Sequence, residues 1–380
     1  MTLLPVAVEP FAPAVYRDRL RRAADEAERR GLAALLITPS SDYAYLLGYH
    51  PPALERLTCL VLSASGPPSL VLPRLEEPLA RHRLGELAAE LQLIPWDETD
   101  DPSQVVRGLL KGTTGRVGVQ DQMWARFVLR LRAALDPIEL VEANPSISAL
   151  RRLKDPVEVE RLSAVAAAAD EAMAHITRET LSGRTEADVS HRISELLLTA
   201  GHDTADFAIV ASGPHSASPH HEPGQRVLQP GDAVVLDIGG TRADYCSDTT
   251  RTAFVGEPPA DFAALYEVLR EAQAAACDAV APGVTAEAVD RAARDVIDDA
   301  GYGEQFFHRT GHGIGMEAHE DPYMVEGNSL PLEAGHAFSV EPGIYVPGRW
   351  GMRLEDIVVA TDDGPVPMNR VDHALVVVDR

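Results

Sequence analysis

A chain of 380 residues, 45% hydrophobic and 24% charged, is long enough for two or three domains and has the composition of an ordinary globular protein. Its 34 basic and 58 acidic residues leave a net charge of −24, which argues against nucleic acid and anionic membranes as partners and leaves acids available for hard cations. No apolar run reaches the length of about 18 residues that spans a bilayer, the start MTLLPVAVEPF has no signal-peptide pattern, and Cys59, Cys246 and Cys277 form no CxxC pair, which together point to a reducing cytoplasm.

The first half alternates helix and strand, so an α/β domain is expected over residues 1–149. Tyr16 to Arg30 is charged and helix-prone, with Gly31 as its stop. Leu32–Thr38 and Thr58–Ser63 read as buried strands. Helices are expected over Val105–Leu110 and Trp124–Leu135, with a strand at Arg116–Val119 between them. This half has no dense cluster of histidines and acids, and reads as a structural or dimerising lobe. A boundary is expected between Asn144-Pro145 and Ser148, followed by a second domain over residues 150–380. That domain opens on an alanine-rich helix within Leu150–Thr177, with Pro156 in its first turn.

The second domain repeats itself. TEADVSHRISELLLTAG from Thr185 is matched by TAEAVDRAARDVIDDAG from Thr285. Val189, Ile193, Leu196 and Leu197 correspond to Val289, Ala293, Val296 and Ile297, one helical face in each copy. LQPGDAVVLD (Leu228–Asp237) is likewise matched by LEAGHAFSVE (Leu332–Glu341), and each run ends in an acid. A second acid follows each: Asp248 after Asp237, Glu355 after Glu341. A two-residue turn at Arg242-Ala243 would set Asp237 directly opposite Asp248, and Glu341 and Glu355 are equidistant from Gly348. Solvent-facing acids on alternating strands are common, so either pair alone would carry little. The repeat joins them, and four carboxylates in one place repel severely without cations.

The histidines add a nitrogen donor. In HRTGHGIGMEAHEDP, glycines flank His312 and let the backbone approach its neighbours closely. One imidazole with four carboxylates suits a pair of Mn²⁺, Co²⁺ or Zn²⁺ ions rather than Ca²⁺ or Mg²⁺ alone. Two such ions make a hydrolase. GxSxG, GxGxxG after a strand and GxxxxGK[ST] are all missing, which removes the serine-hydrolase, dinucleotide and P-loop readings. His50, His82, His175, His191, His202, His336 and His373 receive no role.

LDIGG…Y-x-SDTTR, HRTGHGIG…HE-x-P, SVEPGIY and GMRLED, in that order, resemble the metal-dependent proline peptidases. These are the Xaa-Pro dipeptidases (prolidases) and aminopeptidase P. ASGPHSASPHH resembles their substrate-binding histidine segment, and LRRLKDPVEVERL the opening of their catalytic domain. The resemblance implies an α+β pita-bread catalytic domain, like that of creatinase and methionine aminopeptidase, with an internal pseudo-twofold repeat. It implies two divalent ions, Mn²⁺ first and Co²⁺ or Zn²⁺ next, on Asp237, Asp248, His312, Glu341 and Glu355. His220 and His319 would lie near the scissile carbonyl, Glu341 would carry the proton, and Arg353 would support the ligands or bind a carboxylate. Tyr245 and Thr250 would be supports. The implied activity is hydrolysis of small Xaa-Pro peptides by a homodimer. Aminopeptidase P is the alternative, and a non-catalytic or non-peptidase protein of the same fold the distant one.

Overall fold

The computed structural model describes residues 11–63 and 66–379. The chain divides after Arg151 into two compact units.

In the first unit, helix Pro13–Arg29 starts on a proline and ends before Gly31, whose φ of 69° turns the chain out of the helix. Strand Leu32–Ile37 follows and joins a six-stranded sheet. Across that sheet the strands run Gln92–Trp96, Ser69–Pro73, Cys59–Ser63, Leu32–Ile37, Arg116–Val119 and Glu139–Glu142. Helices Pro102–Leu109 and Ala125–Leu135 pack onto it through Val106, Phe127 and Leu131. The stretch 144–148 begins helix Asn144–Arg151, at whose end the first unit closes, because an early proline opens a helix as readily as it marks a loop. A buried ion pair from Arg151 to Asp42 at 2.6 Å ties that helix to its own unit.

In the second unit, helix Pro156–Ile176 begins on a capping box. The Asp155 carboxylate accepts from the amides of Val157 and Glu158, and Glu158 accepts from the Asp155 amide. The repeated segments form helices Glu186–Thr199 and Ala286–Asp299. Each packs its matched face on its own sheet. Val189, Ile193 and Leu197 meet Leu236 and Ile238, whereas Val289, Ala293 and Ile297 meet Phe338 and Val340. Fully burying one such aliphatic side chain is worth about 1.5–3 kcal/mol, so the two faces hold the two halves together as cores.

The repeat extends into the backbone hydrogen bonds. Gly183 donates to Leu228 O (2.9 Å) as Gly283 donates to Leu332 O (2.8 Å). Gly231 donates to Val255 O (2.8 Å) as Gly335 donates to Ala360 O (2.9 Å), and both glycines have left-handed φ angles of 94° and 99°. The result is the pseudo-twofold pita-bread arrangement. One sheet runs Val376–Val378, Thr249–Val255, Ala233–Arg242, Thr204–Ser212. The other runs Glu320–Met324, Gly311–Gly313, Ala337–Val340, Asp356–Thr361, Gly364–Pro367. No described helix is long and apolar enough to cross a membrane.

Candidate metal centre

Two hairpins carry the acids. In the first, the turn is Ala243-Asp244, with φ of 48° and 72°, and not Arg242-Ala243. A tight two-residue hairpin turn takes positive φ at both central residues, and aspartate tolerates that better than arginine. The register therefore shifts. Asp237 faces Thr250 and not Asp248. Asp248 sits two residues before Thr250, diagonal to Asp237 on the same face, so the carboxylates still converge. In the second hairpin Val340 pairs with Asp356 and Gly343 with Arg353, which sets Glu341 opposite Glu355 about Gly348. A β-bridge between Thr250 and Glu355 links the hairpins, with the Glu355 amide donating to Thr250 O at 3.1 Å.

His312 arrives on strand Gly311–Gly313. Its flanking glycines are required by space: a Cβ on Gly311 would fall 1.8 Å from Ser339 O, and one on Gly313 2.3 Å from Asp321 O. Nδ1 of His312 lies 3.2 Å from Gly313 O, which orients the ring so that Nε2 faces the acids. That Nε2 lies 3.2 Å from Glu341 Oε1 and 3.7 Å from Asp248 Oδ2.

The donors fall into two sets sharing Glu355. Ligand atoms of Asp237, Asp248 and Glu355 lie within 4.8 Å of one another, as do those of His312, Glu341 and Glu355. Asp237 Oδ1 and Glu355 Oε1 are buried and have no hydrogen-bond partner. Burial and the neighbouring carboxylates push Asp248 and Glu355 well above the usual carboxylate range. Burial also opposes ionisation of Glu341, but the His312 imidazole holds it down at about 2. Orphaned anionic oxygens beside hard oxygen donors and one imidazole fit divalent cations.

The surrounding residues differ partly from expectation. Thr250 Oγ1 donates to Glu355 Oε2 at 2.7 Å, and Ser339 Oγ donates to Glu341 Oε1 at 3.2 Å. The Tyr245 hydroxyl donates to Glu158 Oε1 at 2.7 Å. Arg353 has no donor left for a substrate carboxylate. Its guanidinium reaches Asp237, Tyr345 OH (2.8 Å), Thr250 Oγ1 (3.2 Å) and, through both terminal nitrogens, Pro219 O (3.4 Å). Those five donations account for all its N–H groups. Sequence reasoning also gave no role to Arg251, whose side chain is fully buried between the halves.

A cavity of about 630 Å³ opens onto the acids, with Phe207 and Ile209 as an apolar wall. His220 and His319 line it. The His319 ring stacks on His312 with centroids 3.8 Å apart, and Arg309 donates to its Nδ1 at 3.2 Å. Partial desolvation, then the nearby His312 and Arg309, pull His319 down to about 4. It is thus neutral at pH 7, with its proton on Nε2.

A second cluster, Glu186 with His215 and His221, also brings ligand atoms within 4.8 Å. Here the carboxylate is already filled. It accepts from Ser212 N (2.9 Å), Ser212 Oγ (2.6 Å), His215 (3.1 Å), His221 (2.8 Å) and Gly224 N (3.2 Å). Glu186 therefore acts as an anchor for the loop that carries His220. Burial opposes its charge, but the Ser212 and His221 hydrogen bonds hold it down at about 2. Glu186→Gln is expected to cost about 1–3 kcal/mol in a urea titration at pH 7 and to raise KM. The lowered pKa makes this contribution present above the ordinary glutamate value and lost as pH falls toward 2. The gap between the metal-free proteins should therefore close in acid; a gap that stays constant would refute the anchor.

Comparison with known proteins agrees with this geometry. The model of metallopeptidase family M24 matches residues 160–362, and that of the creatinase/prolidase N-terminal domain matches residues 19–153. The probable dipeptidase PepE of Mycobacterium tuberculosis is 48% identical over 370 residues, 97% of this chain and 98% of that one. The Xaa-Pro dipeptidase of Lactobacillus helveticus is 34% identical, over 88% of this chain and 92% of its own. The crystal structure of dipeptidase PepE from Mycobacterium ulcerans superposes with a TM-score of 0.93 at 48% identity, over 97% of this chain and 100% of that one. With both halves matched and a converged set of acids and one imidazole, the chain belongs to metallopeptidase family M24.

Proposed function

We propose that the protein is an Xaa-Pro dipeptidase using two divalent ions, Mn²⁺ first, held by Asp237, Asp248, His312, Glu341 and Glu355. The observation that carries this is the convergence of two donor sets on one shared carboxylate, with two buried oxygens left unpartnered. The substrate class is supported by the similarity to the Lactobacillus helveticus Xaa-Pro dipeptidase. In this reading residues 150–380 are the catalytic domain and residues 1–149 the accessory one. The free thiols Cys59, Cys246 and Cys277 support a reducing, cytoplasmic setting, and a homodimer follows from the family resemblance.

When bound, the ions supply Lewis acidity toward the scissile carbonyl and make water a better nucleophile at neutral pH. The chain's own groups handle the protons and the shape. Glu341, with Ser339 Oγ donating to its Oε1, takes a proton from the attacking water and returns it to the departing proline nitrogen. His319, neutral with its proton on Nε2, donates toward the developing oxyanion. His220, exposed on the cavity wall, packs against the proline side of the peptide. A bond before proline has no N–H, so recognition there rests on shape and on charge at the peptide ends.

A panel of Ala-Pro, Ala-Pro-Ala and Ala-Ala, assayed with added Mn²⁺, Co²⁺ and Zn²⁺, tests the reading. Ala-Pro should be the best substrate and chelation should abolish turnover. Preference for Ala-Pro-Ala would mean an aminopeptidase, and no turnover of any with bound metal would remove the catalytic reading.

A further inference from the structure

We infer that Lys154 is a positioning residue for His319: its ammonium, buried against Glu320, fixes the loop that sets the His319 imidazole against His312. This rests on the role given to His319 above. Lys154 lies just before helix Pro156–Ile176, in the segment that opens the second unit. Its Nζ donates to Glu320 Oε1 at 2.6 Å, and the two side chains are only 1% and 7% exposed. The proposed reaction uses neither residue. A buried ion pair is a poor device for stability, because apolar residues of the same volume often serve as well or better. Its use is to hold one arrangement against others. Here the arrangement is that of the residue next to Glu320, which is His319.

Residues 314–319 form a short loop, closed at its base by the pairing of Gly313 with Glu320. The two stacked rings stand at its ends, His312 just before it and His319 as its last residue. Backbone bonds tie its first half: Gly315 donates to Glu317 O at 3.1 Å, and its carbonyl accepts from Cys246 N at 2.8 Å. Glu320 begins strand Glu320–Met324, and neighbouring side chains along a strand point to opposite faces. With Glu320 drawn inward to Lys154, the His319 ring is turned out into the cavity, where its centroid lies 3.8 Å from that of His312. Lys154 serves as a fixed point because its own backbone is held. Its amide donates to Gly335 O at 2.8 Å, and Leu153 bridges His336.

The pair fits its space with a lysine and not with an arginine. A Cβ on Gly315 would fall 2.7 Å from Glu320 Oε1 and 3.0 Å from Lys154 Cε, so the glycine yields the room that the pair occupies. A planar guanidinium needs more room than an ammonium, which is a compact point charge. Of the chain's 34 basic residues only Lys111 and Lys154 are lysines, and Lys111 is exposed. A chain that otherwise uses arginine thus places its one buried lysine against the carboxylate beside His319.

The test is a double-mutant cycle on Ala-Pro turnover with saturating Mn²⁺, using Lys154→Met and Glu320→Gln, each in the wild type and in His319→Ala. His319→Ala alone should lower kcat about 100–1,000-fold, as loss of one oxyanion donor does. Lys154→Met and Glu320→Gln should each lower kcat about 10–100-fold, with KM within about 3-fold of the wild type, because a small misplacement of a catalytic group is enough. In His319→Ala, either change should lower kcat by less than about 3-fold more, since the group it positions is gone. In EDTA, amide exchange over residues 314–320 should rise in both variants. The Mn²⁺-induced thermal shift should stay that of the wild type. An undiminished kcat loss in the His319→Ala background, an Mn²⁺ shift lost in both variants, or loop exchange unchanged from the wild type would each overturn the assignment. Failure of both variants to fold would make the pair structural alone, and overturns it too. Full kcat in His319→Ala removes the role of His319 and this assignment with it, leaving the dipeptidase reading standing. No turnover of Ala-Pro by the wild type overturns that reading as well.

Discussion

Asp248→Asn should abolish turnover and yet stabilise the metal-free protein. The two effects have one cause. Asp248 is only 4% exposed and shares its face with Asp237 and Glu355. Burial, then Glu355, Asp237 and Glu341, raise its pKa well above the ordinary value. Without cations, its charge is therefore a cost at neutral pH, and an amide of the same shape removes it. Losing a partner of a metal ligand already costs about 10–100-fold in affinity or activity, so losing a ligand should exceed 100-fold. In EDTA the variant should melt several degrees above the wild type, since each kcal/mol shifts Tm by roughly 2–4 °C in a chain of this size class. With saturating Mn²⁺ the order should reverse, because only the wild type gains the binding free energy of both ions. The sign with pH is fixed as well. A raised pKa in the folded state penalises the ionised form, so the gap in EDTA narrows as pH falls and Asp248 takes up its proton. A variant with an undiminished Mn²⁺-induced shift, or with wild-type turnover of Ala-Pro, would show that Asp248 is not a ligand.

The centre was legible because its acids end matched apolar runs, and a repeat betrays a common purpose that a single acid does not. Gly311 and Gly313 were legible for a related reason: backbone from Ser339 and Asp321 fills the space where a Cβ would be. The first hairpin was not. Ala243 carries a positive φ that its side chain gives no reason to expect, so local pattern alone sets the turn one residue early and Asp237 against the wrong partner. In the first unit, Gln92–Trp96 and Glu139–Glu142 leave little trace in the sequence because edge strands are short, and here are interrupted by proline or ended by glutamates. Arg353 looked like a ligand for carboxylates, and is one, but the carboxylate is Asp237. Which acid an arginine meets depends on contacts between the halves, and no local pattern records them. Glu186 was hidden the same way, since its donors come from a strand end, two histidines and a loop well down the chain.

Arg251 is the largest case of that kind, and its replacement should have the largest effect on folding. Its side chain is 0% exposed. Nη1 donates to Glu355 O at 2.6 Å and Thr250 O at 2.9 Å; Nη2 donates to Asp356 Oδ1 and Val371 O, both at 2.8 Å; Nε donates to Asp372 O at 3.1 Å. One guanidinium therefore joins the first hairpin to the second and to the segment that follows it, directly behind the carboxylate of Glu355. Asp356 is 1% exposed, and keeps only His373 at 2.6 Å and a long contact from Gln273 at 3.4 Å once the arginine is gone. Removing one partner of a buried pair costs about 3–5 kcal/mol, so Arg251→Met should lower the melting temperature by roughly 10 °C. Arg251→Lys should rescue little, because an ammonium offers three donors from one point and cannot reach carbonyls on both hairpins. Arg251→Met with Asp356→Asn separates charge from packing. The double variant should recover part of the single variant's loss, since the uncompensated buried carboxylate is gone, but not all of it, since the carbonyls of Val371 and Asp372 still lack the Arg251 donors. Mn²⁺ affinity should fall in the single variant even where the fold survives, because the backbone that aims Glu355 is no longer held. A metal-free Arg251→Met protein as stable as the wild type would remove Arg251 as the link between the halves.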